Sequence, residues 1–371
     1  MGERALDPRL KELYDKGVPI YSISRLGTIN GCLQEAYKTY VLHEKGVDNI
    51  YGALGSRIHD TLEAIVNGEA DESDLLPAMN EEFDYMDLIG LEFPKDSKGG
   101  DSIREGWVKD MTHFCETYKS PRGKNLHTEE LFIYKTPKGR YMQGYIDLYA
   151  QHNNGSIDIY DYKTSSMYKG ADLKEHAMQL LTYCLAKQQE GFTVNRVAWI
   201  FLKYVDITFM GKKTVKSKNK TEITKTVERK KIASEMSKYV EQDLYEAGYD
   251  EIDAEVFLSK FMKTNKFDSL PEDIRSNYKM KPCVYYYELS EENLQECIDY
   301  IDNTIDFWES LDQENESLFK PRNFTKTQKN GKIVNDFFYC TNLCGHFKTC
   351  NYIKDFLEQL STDEENDDDL F

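Results

Sequence analysis

The chain of 371 residues predicts an α/β fold in which helices flank a central mixed β-sheet. Three observations carry that prediction. The N-terminal third is written in helical period, with apolar residues three and four apart. From about 129 to 166 the period changes to two, with Lys138-Gly139 and Asn153-Asn154-Gly155 as turn signals. A helix-length run and a further strand then follow, the order that builds a sheet with a helical crossover.

Taken in order, residues 8 to about 17 read as a short helix. "YSISRLGTINGCLQEAYKTYVL" reads as one serine-capped helix, and "IYGALGSRIHDTLEAIVNG" as the next, stopped by Gly68. The acidic stretch from about 72 to 120 is helical in pattern and interrupted at "FPKDSKGGDS". "EELFIYKTPKGRYMQGYIDLYAQHNNGSIDIYDYKTSS" predicts a three-stranded meander. "LKEHAMQLLTYCLAKQQEG" predicts a helix and "VNRVAWIFLKYVDITF" a fourth strand. Composition then shifts over residues 206–280, which we read as an insertion. It begins with "GKKTVKSKNKTEITKTVERKK", nine Lys or Arg in 21 residues, predicting a basic hairpin or loop. "CVYYYELS" resumes as a strand, and "EENLQECIDYIDNTIDFWESL" is an amphipathic helix.

The composition narrows the function. No run of eighteen apolar residues occurs and the N-terminus lacks an apolar leader, so the expectation is a cytoplasmic protein that does not engage membranes. The net charge of −18 argues against blanket nucleic-acid binding. Six acids fall in the last eleven residues, and leaving them out still gives −12, so any nucleic-acid surface is a local patch. No G-x-x-x-x-G-K-[ST] motif is present to bind ATP.

The meander carries the chemistry. Asp147 ends the run "GYID", and Asp161 and Lys163 bracket one residue in "DYK", which places them on one face of a strand. Burying such charges without partners is costly. Two carboxylates suit a hard divalent cation such as Mg²⁺ or Mn²⁺, and a lysine two residues on can orient water or offset charge on a phosphate; an edge-strand ion pair is the plain alternative.

In order and spacing, "GSRIHDTLE", "GYID", "DYKT" and "QLLTY" resemble the RecB-like branch of the PD-(D/E)XK nucleases, a group including AddB nuclease domains and CRISPR adaptation nucleases. Gly55, His59, Leu62 and Glu63 match that branch's G-x-x-x-H-x-x-L-E signature. The resemblance implies a restriction-endonuclease-like core, with His59, Asp147, Asp161 and the backbone carbonyl of Tyr162 as ligands of Mg²⁺ or Mn²⁺ and Lys163 as the catalytic lysine. It implies that Gln179 and Tyr183, the Q-x-x-x-Y element, position the DNA strand or water. Asp161 stands where many relatives have Glu. Glu129 or Glu130 offers an accessory metal or water contact, or simply a solvated strand end.

Eight cysteines are present, and three crowd into "CTNLCGHFKTC". In the iron-sulfur members of the branch, one N-terminal Cys joins three C-terminal ones around a [4Fe-4S] cluster. The resemblance assigns that role to Cys32, Cys340, Cys344 and Cys350, as a staple joining the two ends of the domain. Relatives have two residues between the first and second C-terminal cysteines and this chain has three, so Zn²⁺ on four sulfurs, or with His346 substituting, stays open. Cys115, Cys184, Cys283 and Cys297 read as small buried hydrophobes.

The expected organisation is helices and nuclease core over 1–205, the insertion over 206–280, a return to the core with a cysteine-rich cap over 281–358, and a disordered acidic tail over 359–371. In the basic run, Lys212, Lys213, Lys230 and Lys231 are candidate phosphate contacts, with a solvated loop as the alternative. The acidic tail ending in Phe371 resembles those of single-stranded DNA-binding proteins and points to replication or recombination proteins as partners, against a simple solubilising role. The implied activity is a metal-dependent exonuclease at single-stranded or duplex DNA ends. A structure-specific or flap endonuclease and a non-cleaving DNA-end-binding module are the alternatives.

Overall fold

A computed structural model describes residues 6–96, 98–121, 125–211, 221–328 and 331–368. Asp7 caps α1 (Pro8–Asp15), which leads through the short strand β1 (Ile20–Tyr21) into α2 (Ile23–Gly31), capped by Ser22. The single helix expected across 22–42 is broken. Cys32 takes extended backbone, φ −159° and ψ 104°, and α3 (Leu33–Tyr40) restarts beyond it. Gly31 lowers the cost of the break, and the turn sets the Cys32 side chain toward the C-terminal cysteines with which it lines a cavity.

Three helices follow: α4 (Ile50–Asn67), ended by Gly68 in the left-handed region, α5 (Leu75–Ile89) and α6 (Ser102–Thr117). The meander forms as expected from β2 (Asn125–Lys135), β3 (Tyr141–Gln151) and β4 (Ile157–Lys163), each antiparallel to the next. The helix α7 (Ala171–Gln189) crosses over to β5 (Val194–Met210), which runs parallel to β4.

The expected boundary at 205/206 falls inside β5, because this one 17-residue strand serves two units. Its second half pairs with β6 (Glu222–Glu228) as a hairpin. With α8 (Ile232–Glu246), α9 (Glu251–Thr264) and α10 (Glu272–Arg275), that half buries a separate core around Ile232, Met236, Phe261 and Phe267. The strand β7 (Lys279–Tyr287) then returns along both halves of β5. The sheet is mixed, with the order β1-β3-β4-β5-β6, while β2 pairs with β3 and β7 with β5.

Helices cover both faces, as the α/β expectation requires. On one face α7 and α11 (Glu291–Ser310) pack with Ile146, Ile157, Ile159 and Trp199. On the other, α4, α5 and α6 pack with Leu148, Tyr162 and Leu202. Cys115, Cys184, Cys283 and Cys297 are buried, in line with the sequence reading.

A small hairpin of β8 (Thr325–Thr327) and β9 (Ile333–Asn335) precedes α12 (Phe338–Asn342) and α13 (Asn351–Asp368). The last of these carries the chain out of the cap to Asp368. In its first half Ile353 is buried and the ring of Phe356 packs tilted against Phe324 at 5.1 Å. Residues 369–371 lie outside the described residues. Among the described residues, no helix is long and apolar enough to cross a membrane.

Candidate active site

The site forms where the meander comes apart. The β3–β4 ladder ends at Leu148 opposite Tyr160, so Asp147 and Asp161 occupy the next rung, and like charges directly opposed disfavour further pairing. Asp147 fills the opening: its Oδ2 accepts a hydrogen bond from the backbone N–H of Tyr162 at 2.9 Å.

The other edge of β3 is irregular at the same level. Thr128 pairs with Leu148 and Glu130 with Ile146, which leaves Glu129 across from Asp147 with φ 46°, a strained value for a residue with a side chain. Side-chain alternation resets there. Ile146 packs into the core with α7, whereas Leu148, two residues on, packs into the core with α4. The kink turns Glu129 toward Asp147 instead of letting the strand run on.

His59 reaches the same point from α4, with Nδ1 3.4 Å from Asp147 Oδ2 and its ring edge-on to Tyr162 at 6.0 Å. Gly55, one turn earlier, faces the residue just past the end of β4: a Cβ there would touch Thr164 Oγ1 at 3.4 Å, an ordinary contact. Leu62 of the same signature is buried in the core beneath. Ligand atoms of His59, Glu129 and Asp147 lie within 4.8 Å of one another. Of the two glutamates, Glu129 lies beside His59 and Asp147, whereas the Glu130 carboxylate accepts from Tyr149 and Lys187.

Asp161 is buried and lies 2.6 Å from Lys163 through Oδ2, an ion pair without hydrogen-bond alignment, while Oδ1 has no hydrogen-bond partner among the described residues. Lys163 Nζ donates to Gln179 Oε1 at 2.9 Å, and Gln179 Nε2 donates to the Tyr183 hydroxyl at 2.7 Å. The two α7 residues thus point one chain of hydrogen bonds at the lysine. Burial and the charge of Asp161 push the Asp147 carboxyl up to about 8, against the opposing pull of Lys163 and the Tyr162 N–H. Burial opposes the charge on Lys163, yet Asp161 first among its neighbours carries its pKa above the ordinary lysine value. Burial lowers that of His59, keeping a lone pair free for a metal. Two carboxylates facing each other, a neutral imidazole and an unbonded buried carboxylate oxygen form a donor set short of positive charge, which fits a divalent cation.

The four cysteines also come together. Cys32, Cys340, Cys344 and Cys350 line one cavity with Glu35 and Tyr339. Burial and the neighbouring thiols push Cys340 up to about 11, and burial and Glu35 push Cys344 up to about 12; a bound cation would reverse both shifts. His346 lines the cavity too, but its Nε2 meets Thr39 Oγ1 at 2.9 Å and its Nδ1 lies 3.8 Å from Glu44. The cap also holds the N-terminal helices without any metal. Tyr37 stacks on Phe319 at 4.5 Å, Gln34 N–H donates to Lys320 O, and Val47 N–H donates to Gly345 O at 2.9 Å. Gly345 and Gly46 cross so closely that a Cβ on Gly345 would lie 3.0 Å from Gly46 Cα.

Lys230 and Lys231 sit in a 3-10 turn, Arg229–Lys231, between β6 and α8; Lys212 and Lys213 lie outside the described residues. Asp110, fully buried, fixes Lys230 by accepting from its backbone N–H at 2.7 Å and its Nζ at 3.1 Å. Beside it, Arg229 is buried and donates to Leu202 O, His113 Nδ1 and Thr117 Oγ1. Sequence reasoning missed this junction, and it missed Lys187, although Gln179, Tyr183 and Lys187 form one i, i+4, i+8 stripe that could have shown it.

Comparison with curated proteins finds no match. A solved protein described as "Crystal structure of SSO0001" is 15% identical over 63% of this chain and 84% of that chain, with a TM-score of 0.18, too low to argue from. The model of the PD-(D/E)XK nuclease superfamily matches residues 20–264, a span that contains His59, Glu129, Asp147, Asp161, Lys163, Gln179 and Tyr183, and the chain belongs to that superfamily.

Proposed function

We propose that the protein is a Mg²⁺- or Mn²⁺-dependent deoxyribonuclease acting as an exonuclease at DNA ends, in recombination, repair or phage DNA processing. The observation that carries the reading is the convergence of His59, Glu129 and Asp147 within 4.8 Å beside an Asp161–Lys163 pair. In this reading His59, Glu129, Asp147, Asp161 and the Tyr162 carbonyl hold the ion, which when bound supplies Lewis acidity to the scissile phosphate and acidifies a water. Lys163, steered by Gln179, faces the developing negative charge, and Tyr183 keeps the Gln179 amide turned so that its oxygen meets the lysine.

The four cysteines hold a [4Fe-4S] cluster in this proposal. What supports the reading is that the four cysteines line one cavity while His346, the alternative zinc ligand, meets Thr39 and lies beside Glu44. An absorbance band near ~400 nm after anaerobic purification, lost in Cys32→Ser, is the expected signature; zinc without iron in the purified protein would remove the cluster.

The nuclease reading is tested by digesting end-labelled linear and circular DNA in Mg²⁺ or Mn²⁺ with wild type, Asp161→Ala and Lys163→Ala. Loss of cleavage in both variants is expected. Equal cleavage by all three sinks the enzyme, and circular DNA cut as fast as linear DNA turns the reading to a structure-specific or flap endonuclease.

A further inference from the structure

A cleft of about 850 Å³ opens directly beyond the catalytic strand, floored by Thr164, Ser165 and Ser166 immediately after Lys163. Four lysines line it, Lys109 from α6, Lys203 from β5, and Lys230 and Lys231 from the turn before α8, with Glu105 as the acid among them. Phe338 and Leu343 of the cysteine-bearing cap line it too and add apolar surface.

The lysines differ in what holds them. Lys230 is fixed by Asp110 and Lys231 is paired with Glu228 at 2.7 Å. Among the described residues, Lys109 and Lys203 have no salt-bridge partner; Lys109 is exposed and Lys203 half-buried. Burial, opposed by Asp110 and reinforced by Lys230, lowers the pKa of Lys203, and an arriving anion would act against that shift. Gly106 leaves room for the fixed lysine, since a Cβ there would meet Lys230 Nζ at 3.3 Å. Phe338 is 48% exposed, a large ring left in solvent at the start of a five-residue helix whose third residue is Cys340.

Cations without a salt-bridge partner and an exposed ring lining one cleft match the chemistry of one polynucleotide strand, which offers phosphates and unstacked bases together. A duplex keeps its bases stacked inside and offers Phe338 nothing to stack on. A second cleft, which includes Glu129, has the opposite character, lined by Asp7, Glu129, Glu130 and Glu190 with Arg9 as the one guanidinium, and offers a phosphate backbone less than the lysine-lined cleft does.

We infer that this cleft is the track for a single DNA strand, with Lys109 and Lys203 gripping phosphates and Phe338 stacking on a base. The inference rests on the nuclease reading and deepens it. It also gives the cysteine cap a task in substrate holding: the ring sits two residues before Cys340, so whatever orders the four sulfurs also sets the stacking face.

The test is fluorescence anisotropy of a labelled 20-nucleotide oligothymidine in Ca²⁺ over a salt series, with a blunt duplex in parallel. The proteins are wild type, Lys109→Ala/Lys203→Ala, Lys109→Glu, Phe338→Ala and Phe338→Trp. Phe338→Ala should bind the single strand roughly tenfold more weakly, with Trp restoring it. The double lysine variant should lower the slope of log affinity against log salt by about 1.4, at ~0.7 per phosphate contact, and Lys109→Glu should weaken binding without unfolding an exposed site. Variants that keep the wild-type affinity and slope overturn the track, as does tighter binding of the duplex with the same dependence on Phe338. Wild type is also assayed for cleavage in Mg²⁺. Binding through the cleft without cleavage would sink the nuclease reading and leave the track standing; cleavage with unaltered variant binding would do the reverse.

Discussion

Two lysines meet α7, Lys187 on the helix itself and Lys163 reaching Gln179 from the end of β4, and their ion pairs differ in how completely they are satisfied. Lys187, on α7, is fully buried and closed on every side. It donates to Glu130 and to Glu190 at 2.9 Å, and lies over the rings of Tyr149 and Phe192 at 4.7 and 5.1 Å. Lys163 also has one carboxylate and one α7 partner, but its side chain is 20% exposed and its Asp161 keeps an unbonded oxygen. A saturated lysine has nothing left to offer a substrate. An incompletely satisfied one next to a charge-poor donor set is the arrangement that awaits a ligand.

The largest effect should separate the two lysines outright. Lys163→Ala is expected to lower the cleavage rate by about 10³-fold, with a smaller loss of folding stability than Lys187→Met, because Asp147, raised by the charge of Asp161, can share the proton that replaces the lysine. A comparable drop in stability would erase the distinction. Lys187→Met should do the opposite and cost about 3 kcal/mol of folding stability in urea denaturation, because Glu130 and Glu190 lose the cation they share. A neutral outcome would mean that water replaces the lysine there.

A third buried cation sharpens the contrast, because Arg229 has neutral partners. Burial and Arg229 push the His113 imidazole down to about 4, whereas the unfolded chain takes its proton near the ordinary value of about 6.5. Stability from this contact is complete above that ordinary value. It is lost as pH falls from about 6.5 toward 4, by up to roughly 3 kcal/mol, since the unfolded state binds the proton first. Denaturation at neutral pH and near the lower limit should show that loss in wild type and a smaller one in His113→Gln. The smallest effect is expected at Gln179. Gln179→Ala should reduce kcat about tenfold with little change in KM, as a residue acting through Lys163; a change confined to KM would make it a substrate contact instead.

The residues that sequence exposed most clearly were those whose spacing is local. Asp161 and Lys163 share a face by strand period, Gln179 and Tyr183 by helix period, and Gly55 and His59 by one helical turn. The choice between Glu129 and Glu130 was not legible, because it turns on a positive φ at Glu129 that reverses the alternation, and nothing in "TEEL" specifies it. The break at Cys32 was hidden for a related reason: the apolar pattern runs straight through it, and tertiary contacts decide. Likewise β5 reads as one strand, and its double use is visible only once the second core has formed around its far half.

The crossing of Gly46 over Gly345 has a temporal consequence. A ribosome delivers residue 46 long before residue 345, so a nascent chain carries its N-terminal helices, and the thiol of Cys32 with them, without their final neighbour for most of synthesis. A chain truncated before the crossing would leave synthesis with Asp147 and Asp161 in place but without Gly345, Cys344 and Cys350, so its N-terminal helices would lack the contacts that close on them in the whole chain.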